Sequence, residues 1–94
     1  MKKYEYIFNR YKNLFYDRYG VKPEINYAQC SKLLMERIEN RTEEEIVRII
    51  ELYFENEKSE NVFHLPTILS AYIFNKYLPQ LNQKLNPNMY TNEN

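Results

Sequence analysis

The sequence predicts an all-α fold, a single-domain bundle of four main helices followed by a short C-terminal turn and a flexible tail. Three observations carry that prediction. Apolar residues recur at intervals of three and four, the spacing of one buried helix face. Capping residues precede these segments, and Gly20 or Asn40 follows two of them. The chain holds one glycine, no alternating strand pattern and no glycine hairpin, which leaves no signal for a sheet. Its 94 residues, 44% of them hydrophobic, suffice for one core and no second domain. The expected division is a helical domain over 1–85 and a tail over 86–94.

The first helix runs from Tyr4 through Ile7, Phe8, Tyr11, Leu14 and Phe15 to Tyr19, with Arg10, Lys12, Asn13 and Asp17 outside or beside that stripe. Gly20 ends it, because glycine takes the left-handed conformation that closes a helix at little cost. Pro23 then holds Lys22 extended, with Val21 or Ile25 tucked inward.

Asn26, with Gln29 three residues on, makes an N-cap and a weak capping box, so a second helix covers Tyr27 to about Glu39. Its expected buried face is Tyr27, Cys30, Leu33, Leu34 and Ile38. Asn40 suits a left-handed cap. Thr42 and Glu45 form a stronger capping box, and Glu43, Glu44 and Glu45 favour the positive end of the third helix. Its stripe is Ile46, Ile49, Ile50, Tyr53 and Phe54, with Glu44 and Arg48 at pairing distance along its surface.

No apolar residue occurs from Glu55 to Asn61, so a solvent loop or a frayed helix end is expected there. Val62, Phe63 and Leu65 return the chain to the core, and Pro66 suits a first helical turn. The fourth helix is expected to run to about Leu78 and to be central, since Leu65, Ile68, Leu69, Tyr72, Ile73, Phe74, Tyr77 and Leu78 cover nearly its whole circumference. Pro79 stops or kinks it, and Gln80 to Lys84 add one further turn.

Composition bounds the function. Lys plus Arg and Asp plus Glu both number 13, so the net charge is zero. His64, Cys30 and Asp17 are each the sole residue of their type, so neither a Ser-His-Asp triad nor a His/Cys metal cluster can be assembled. Cys30 lies on an apolar stripe as a small hydrophobe, and His64 stands at a helix entrance. With one glycine there is no phosphate-binding loop. The expectation is a non-enzymatic protein with no catalytic, cofactor-binding or metal-binding residues. No apolar run approaches the ~20 residues that span a bilayer, and the N-terminus leads into an amphipathic segment rather than a signal core, so a cytoplasmic protein without membrane contact is expected.

Partner binding is the class that remains, and two groups of residues suggest it. Tyr6 and Tyr16 fall off the first stripe beside Arg10 and Lys12, while Glu51, Glu55 and Glu57 lie near the end of the third helix. Off-stripe aromatics anchor and exposed charges steer. The broad apolar girth of the fourth helix, beginning with Ile73 and Tyr77, offers a third face, for a partner or for a twofold homodimer. Asn, Tyr, Lys, Ile and Glu are all abundant, as in an AT-rich coding sequence, and this bias alone accounts for many of the ten tyrosines. Nucleic acid is a weaker candidate. Lys2, Lys3, Arg10, Lys12 and Arg18 with Tyr6 and Tyr16 suit a single strand, but the third helix opens with three glutamates where a recognition helix would meet DNA.

The succession Tyr11-Lys12, Tyr19-Gly20-Val21-Lys22-Pro23, Lys32-Leu33-Leu34, Thr42-Glu43-Glu44-Glu45-Ile46, Ile49-Ile50-Glu51-Leu52-Tyr53-Phe54, Phe63, Leu69 and Phe74-Asn75-Lys76-Tyr77-Leu78 resembles a small helical domain of bacteriophage and plasmid proteins. Such domains occur in replication modules, in proteins of the replisome-organiser or helicase-loader-like kind. The likeness covers residues 4 to 78 and rests on helix caps and core positions. It implies a protein-binding adaptor in DNA replication, partnered by a replicative helicase in a bacterial host. A short AT-rich reading frame of this type equally suits a stoichiometric inhibitor of a host defence nuclease complex, as anti-CRISPR proteins are. Weak single-stranded DNA binding is the third expectation.

Overall fold

The computed structural model describes residues 3–57 and 64–85. Among them are five helices and no strand: α1 (Glu5–Tyr19), α2 (Tyr27–Arg37), α3 (Glu43–Asn56), the single turn α4 (Leu65–Ile68) and α5 (Ala71–Leu85). The all-α fold class expected from periodicity is the one observed.

Local chemistry places the boundaries. Gly20 closes α1 with φ 75°, its N–H donating to the Tyr16 carbonyl. The Asn26 side chain accepts the Gln29 N–H at 3.0 Å, and Asn40 takes the left-handed conformation between α2 and α3. The capping box at α3 is complete: Thr42 Oγ1 accepts the Glu45 N–H at 3.1 Å, and the Glu45 carboxylate accepts the Thr42 N–H at 2.9 Å. Tyr4 also has positive φ, a conformation unfavourable for a tyrosine, and its ring is buried in the core.

The centre of the bundle is α3, not the helix after Pro66. Ile46, Val47, Ile49, Ile50, Leu52, Tyr53 and Phe54 are all buried, and both α1 and α5 pack against this helix. The expected fourth helix is broken at Leu69 and Ser70, so its apolar residues do not surround one cylinder. Leu65 and Ile68 of α4 are buried where that turn packs against α2, while Ile73, Phe74, Tyr77 and Leu81 line the inner side of α5. Ser70 starts α5 by accepting the Ile73 N–H on its hydroxyl at 3.3 Å. At the same break the Leu69 carbonyl accepts the Arg37 Nε–H at 2.7 Å.

Pro79 does not end the helix. It lies inside α5, which continues to Leu85. Proline removes the donor that would meet the carbonyl of Asn75, and because both residues are on the exposed side, water can take that place.

Two smaller expectations are corrected. Helix α2 ends at Arg37, two residues before Glu39. Tyr27, at its first position, is 50% exposed and makes an edge contact with Phe8 at 5.0 Å between centroids. Val21 is exposed, whereas Ile25 packs against the core. Glu55 and Asn56 form the end of α3, as the helix-end alternative has it. The remainder of the expected loop, the return through Val62 and Phe63, and the tail over 86–94 lie outside the described residues.

Candidate functional site

The outward side of α1 is set by its inward side. Ile7, Phe8 and Tyr11 are fixed in the core, and a step of ~100° per residue then turns Tyr6, Asn9, Asn13 and Tyr16 to solvent. Tyr6 is 51% exposed and Tyr16 54% exposed. Ten residues of helix separate them by about 15 Å, with the two asparagines between. Lys12, half-buried, borders this stripe.

Arg10 turns the other way. Its Nε donates to Glu51 Oε2 at 3.0 Å across the groove between α1 and α3. The second oxygen of the same carboxylate accepts Arg48 Nη1 at 2.9 Å, and Arg48 also reaches Glu55 at 3.3 Å. Arg48 is therefore tied to Glu51 and Glu55 rather than to Glu44, because residues further along α3 face the same groove. Burial acts to raise the pKa of the Glu51 carboxyl, but the hydrogen bonds from Arg48 and Arg10 outweigh it and hold the group below its ordinary value. The groove, of about 590 Å³, is also lined by Leu14, Asp17, Arg18 and Phe54. Arg18 donates to the Phe54 carbonyl, with its guanidinium 5.8 Å from the centroid of the Phe54 ring. The basic first segment and the acidic third helix thus meet and partly neutralise one another.

Glu57 is engaged elsewhere. Its Oε2 accepts the Tyr77 hydroxyl at 2.7 Å and Lys76 Nζ at 3.0 Å, joining the end of α3 to α5. Burial first, and the Glu57 hydrogen bond second, push the Tyr77 phenol well above the usual tyrosine range. Ile73 and Tyr77 are core residues, 6% and 1% exposed, and present no free face to a partner. They look available from sequence because apolar residues run on through the break at Ser70.

Sequence reasoning also missed exposed residues. Tyr27, Met35 and Tyr72 are large, apolar and open to solvent. The signal for Tyr27 was its place at the first helical position, where a side chain sits at the rim of the stripe rather than under it. A further cluster had no local signal: Arg37 and Arg41 both lie over the ring of Phe74, at 5.9 and 5.8 Å from its centroid.

Nucleophilic chemistry finds no support at Cys30, which is fully buried with its thiol pushed up by desolvation. His64 is exposed and its side chain makes no capping hydrogen bond. Among the described residues no three His, Cys, Asp or Glu side chains are grouped to hold a metal ion, and no helix is long and apolar enough to cross a membrane. Comparison of the chain with protein-family models, with curated proteins and with solved structures gave no match in any of the three.

Proposed function

We propose that this chain is a non-enzymatic adaptor of a mobile genetic element that acts in DNA replication in the bacterial cytoplasm by binding a replicative helicase. The observation that carries the adaptor role is the outer face of α1. Tyr6 and Tyr16 are half exposed, contribute nothing evident to the core and stand about 15 Å apart on one helix side. Tyrosine offers a large, stiff and amphipathic contact area, and it is enriched both at interfaces and among the residues that dominate binding energy. The buried, unreactive state of Cys30 supports the non-enzymatic part. The replication setting rests on the resemblance over residues 4 to 78 and not on geometry.

The test is affinity capture from a bacterial host with the wild-type chain and with a Tyr6→Ala/Tyr16→Ala variant. The expected catch is a replicative helicase that the variant fails to retain. A defence nuclease complex retained in the same tyrosine-dependent way would assign the inhibitor role instead. Equal retention by both baits would remove α1 as the docking face.

A further inference from the structure

Next to the tyrosine stripe runs a groove whose chemistry is more specific. Between α1 and α2 a depression of about 520 Å³ has Phe8 and Tyr27 as its apolar floor, with Lys3, Lys12, Asn9 and Ser31 around them. A second depression, of about 770 Å³, shares Asn9 and Lys12 with the first and extends past Asn13 and Tyr16 to Lys22. The two form one path along α1.

Arg10 also lines this path but is taken by Glu51. Arg10, Arg48 and Lys76 are each committed to a glutamate. Among the described residues Lys3, Lys12 and Lys22 have no carboxylate within ion-pair distance. One unpaired lysine is ordinary surface, but three along a groove that opens on an apolar pocket match spaced negative charge with an apolar side chain.

Glu5 and Asp17 line the same path, Glu5 in the first depression with Lys3 and Asp17 in the second with Lys22. A nucleic-acid strand carries a charge at every nucleotide and would set some of them against these carboxylates. A polypeptide can place its carboxylates opposite the lysines and leave neutral residues opposite Glu5 and Asp17. We infer that the groove binds an extended acidic segment of the partner protein, with an apolar side chain seated on Phe8 and Tyr27 and carboxylates at Lys3, Lys12 and Lys22. This rests on the adaptor role proposed above and adds the chemistry of the partner.

The experiment uses the full chain and three fluorescent probes: a short synthetic peptide of Glu and Gly with one Phe, the same peptide with Lys for Glu, and an oligothymidylate of equal negative charge. Anisotropy gives affinity, and amide NMR shifts give location. The acidic peptide should bind in a salt-sensitive manner and shift Phe8, Tyr27 and Ser31. Lys3→Glu plus Lys12→Glu, and separately Tyr27→Ala, should each weaken it by roughly tenfold or more. Both changes fall on side chains that are not deeply buried, and unchanged amide spectra elsewhere verify the fold. Tighter binding of the oligothymidylate would overturn the inference in favour of nucleic acid. Equal binding of the Lys peptide, shifts away from the groove or no binding at millimolar peptide would also overturn it. Capture of a helicase through Tyr6 and Tyr16 alongside any of these failures keeps the adaptor role and loses the groove; loss of capture with the peptide still bound does the reverse.

Discussion

Arg10 and Glu51, 41 residues apart in sequence, are joined by a 3.0 Å hydrogen-bonded ion pair that bridges α1 and α3. Glu51 receives Arg48 on its other oxygen, so one carboxylate organises two guanidiniums. The charge asymmetry of the chain is thereby spent partly on holding the bundle together. On the groove along α1, the cations left for a partner are Lys3, Lys12 and Lys22.

Glu51→Gln keeps the size of the side chain and removes the charge, and it should destabilise the fold by about 1 kcal/mol at neutral pH, a value reduced for the partial exposure of the pair. The folded carboxyl titrates below its ordinary value, so its contribution is present above that value and is lost as pH falls through the folded one. Denaturant midpoints of wild type and variant should therefore converge as pH drops below about 4. A gap that persists unchanged to pH 2 would separate the stabilisation from the charge.

Ile50 is fully buried on the helix that both α1 and α5 contact. Ile50→Ala should cost about 2–5 kcal/mol, a large share of what so small a domain possesses. Tyr72→Ala, at an exposed position on α5, should stay within about 0.5 kcal/mol. Similar losses for the two in urea unfolding would contradict the placement of the core.

Pro79 interrupts an otherwise continuous α5 on its exposed side. Pro79→Ala restores a backbone donor and should stabilise by about 1–3 kcal/mol, read as a rise in Tm. A fall in Tm would show that the backbone at Pro79 is required to seat Leu81 in the core.

The phenols of Tyr11 and Tyr77 are both pushed up, chiefly by burial. At Tyr11 burial outweighs a hydrogen bond with the Leu65 backbone that acts to lower the value, and at Tyr77 donation to Glu57 adds to the effect of burial. Because their folded pKa values are raised, the associated stability is complete below the ordinary tyrosine value and is lost as pH climbs above it. Unfolding should set in above about pH 10, and Tyr77→Phe should reduce the steepness of that loss. Ultraviolet titration checks it: all ten tyrosines ionising together near the ordinary value, with the fold intact, would contradict these environments.

Much of this architecture is written locally. Gly20, Asn26, Asn40 and the Thr42–Glu45 box act within a few residues, so the sequence shows them directly. The stripes of α1 and α3 follow from spacing alone, and so does the exposure of Tyr6 and Tyr16. What failed was the boundary between α4 and α5. Apolar residues continue on both sides of Ser70 and hide its role as a cap, so from sequence α5 looks central and Ile73 and Tyr77 look available. Pro79 reads from sequence as a stop or a kink, and on an exposed side its missing donor costs less than either reading assumes. The Arg10–Glu51 pair, the Glu57–Tyr77 bond and the arginines over Phe74 depend on the packing of distant segments, which no short spacing reveals.

The most direct measurement follows the amide NMR spectrum of the labelled chain as the captured partner is added. If the outer side of α1 is the docking face, the largest changes will fall on Tyr6, Asn9, Asn13 and Tyr16, and Tyr6→Ala with Tyr16→Ala will speed dissociation while leaving the rest of the spectrum in place. Changes centred on Met35 or Tyr72, with α1 unperturbed and dissociation unaltered in the variant, would contradict the account.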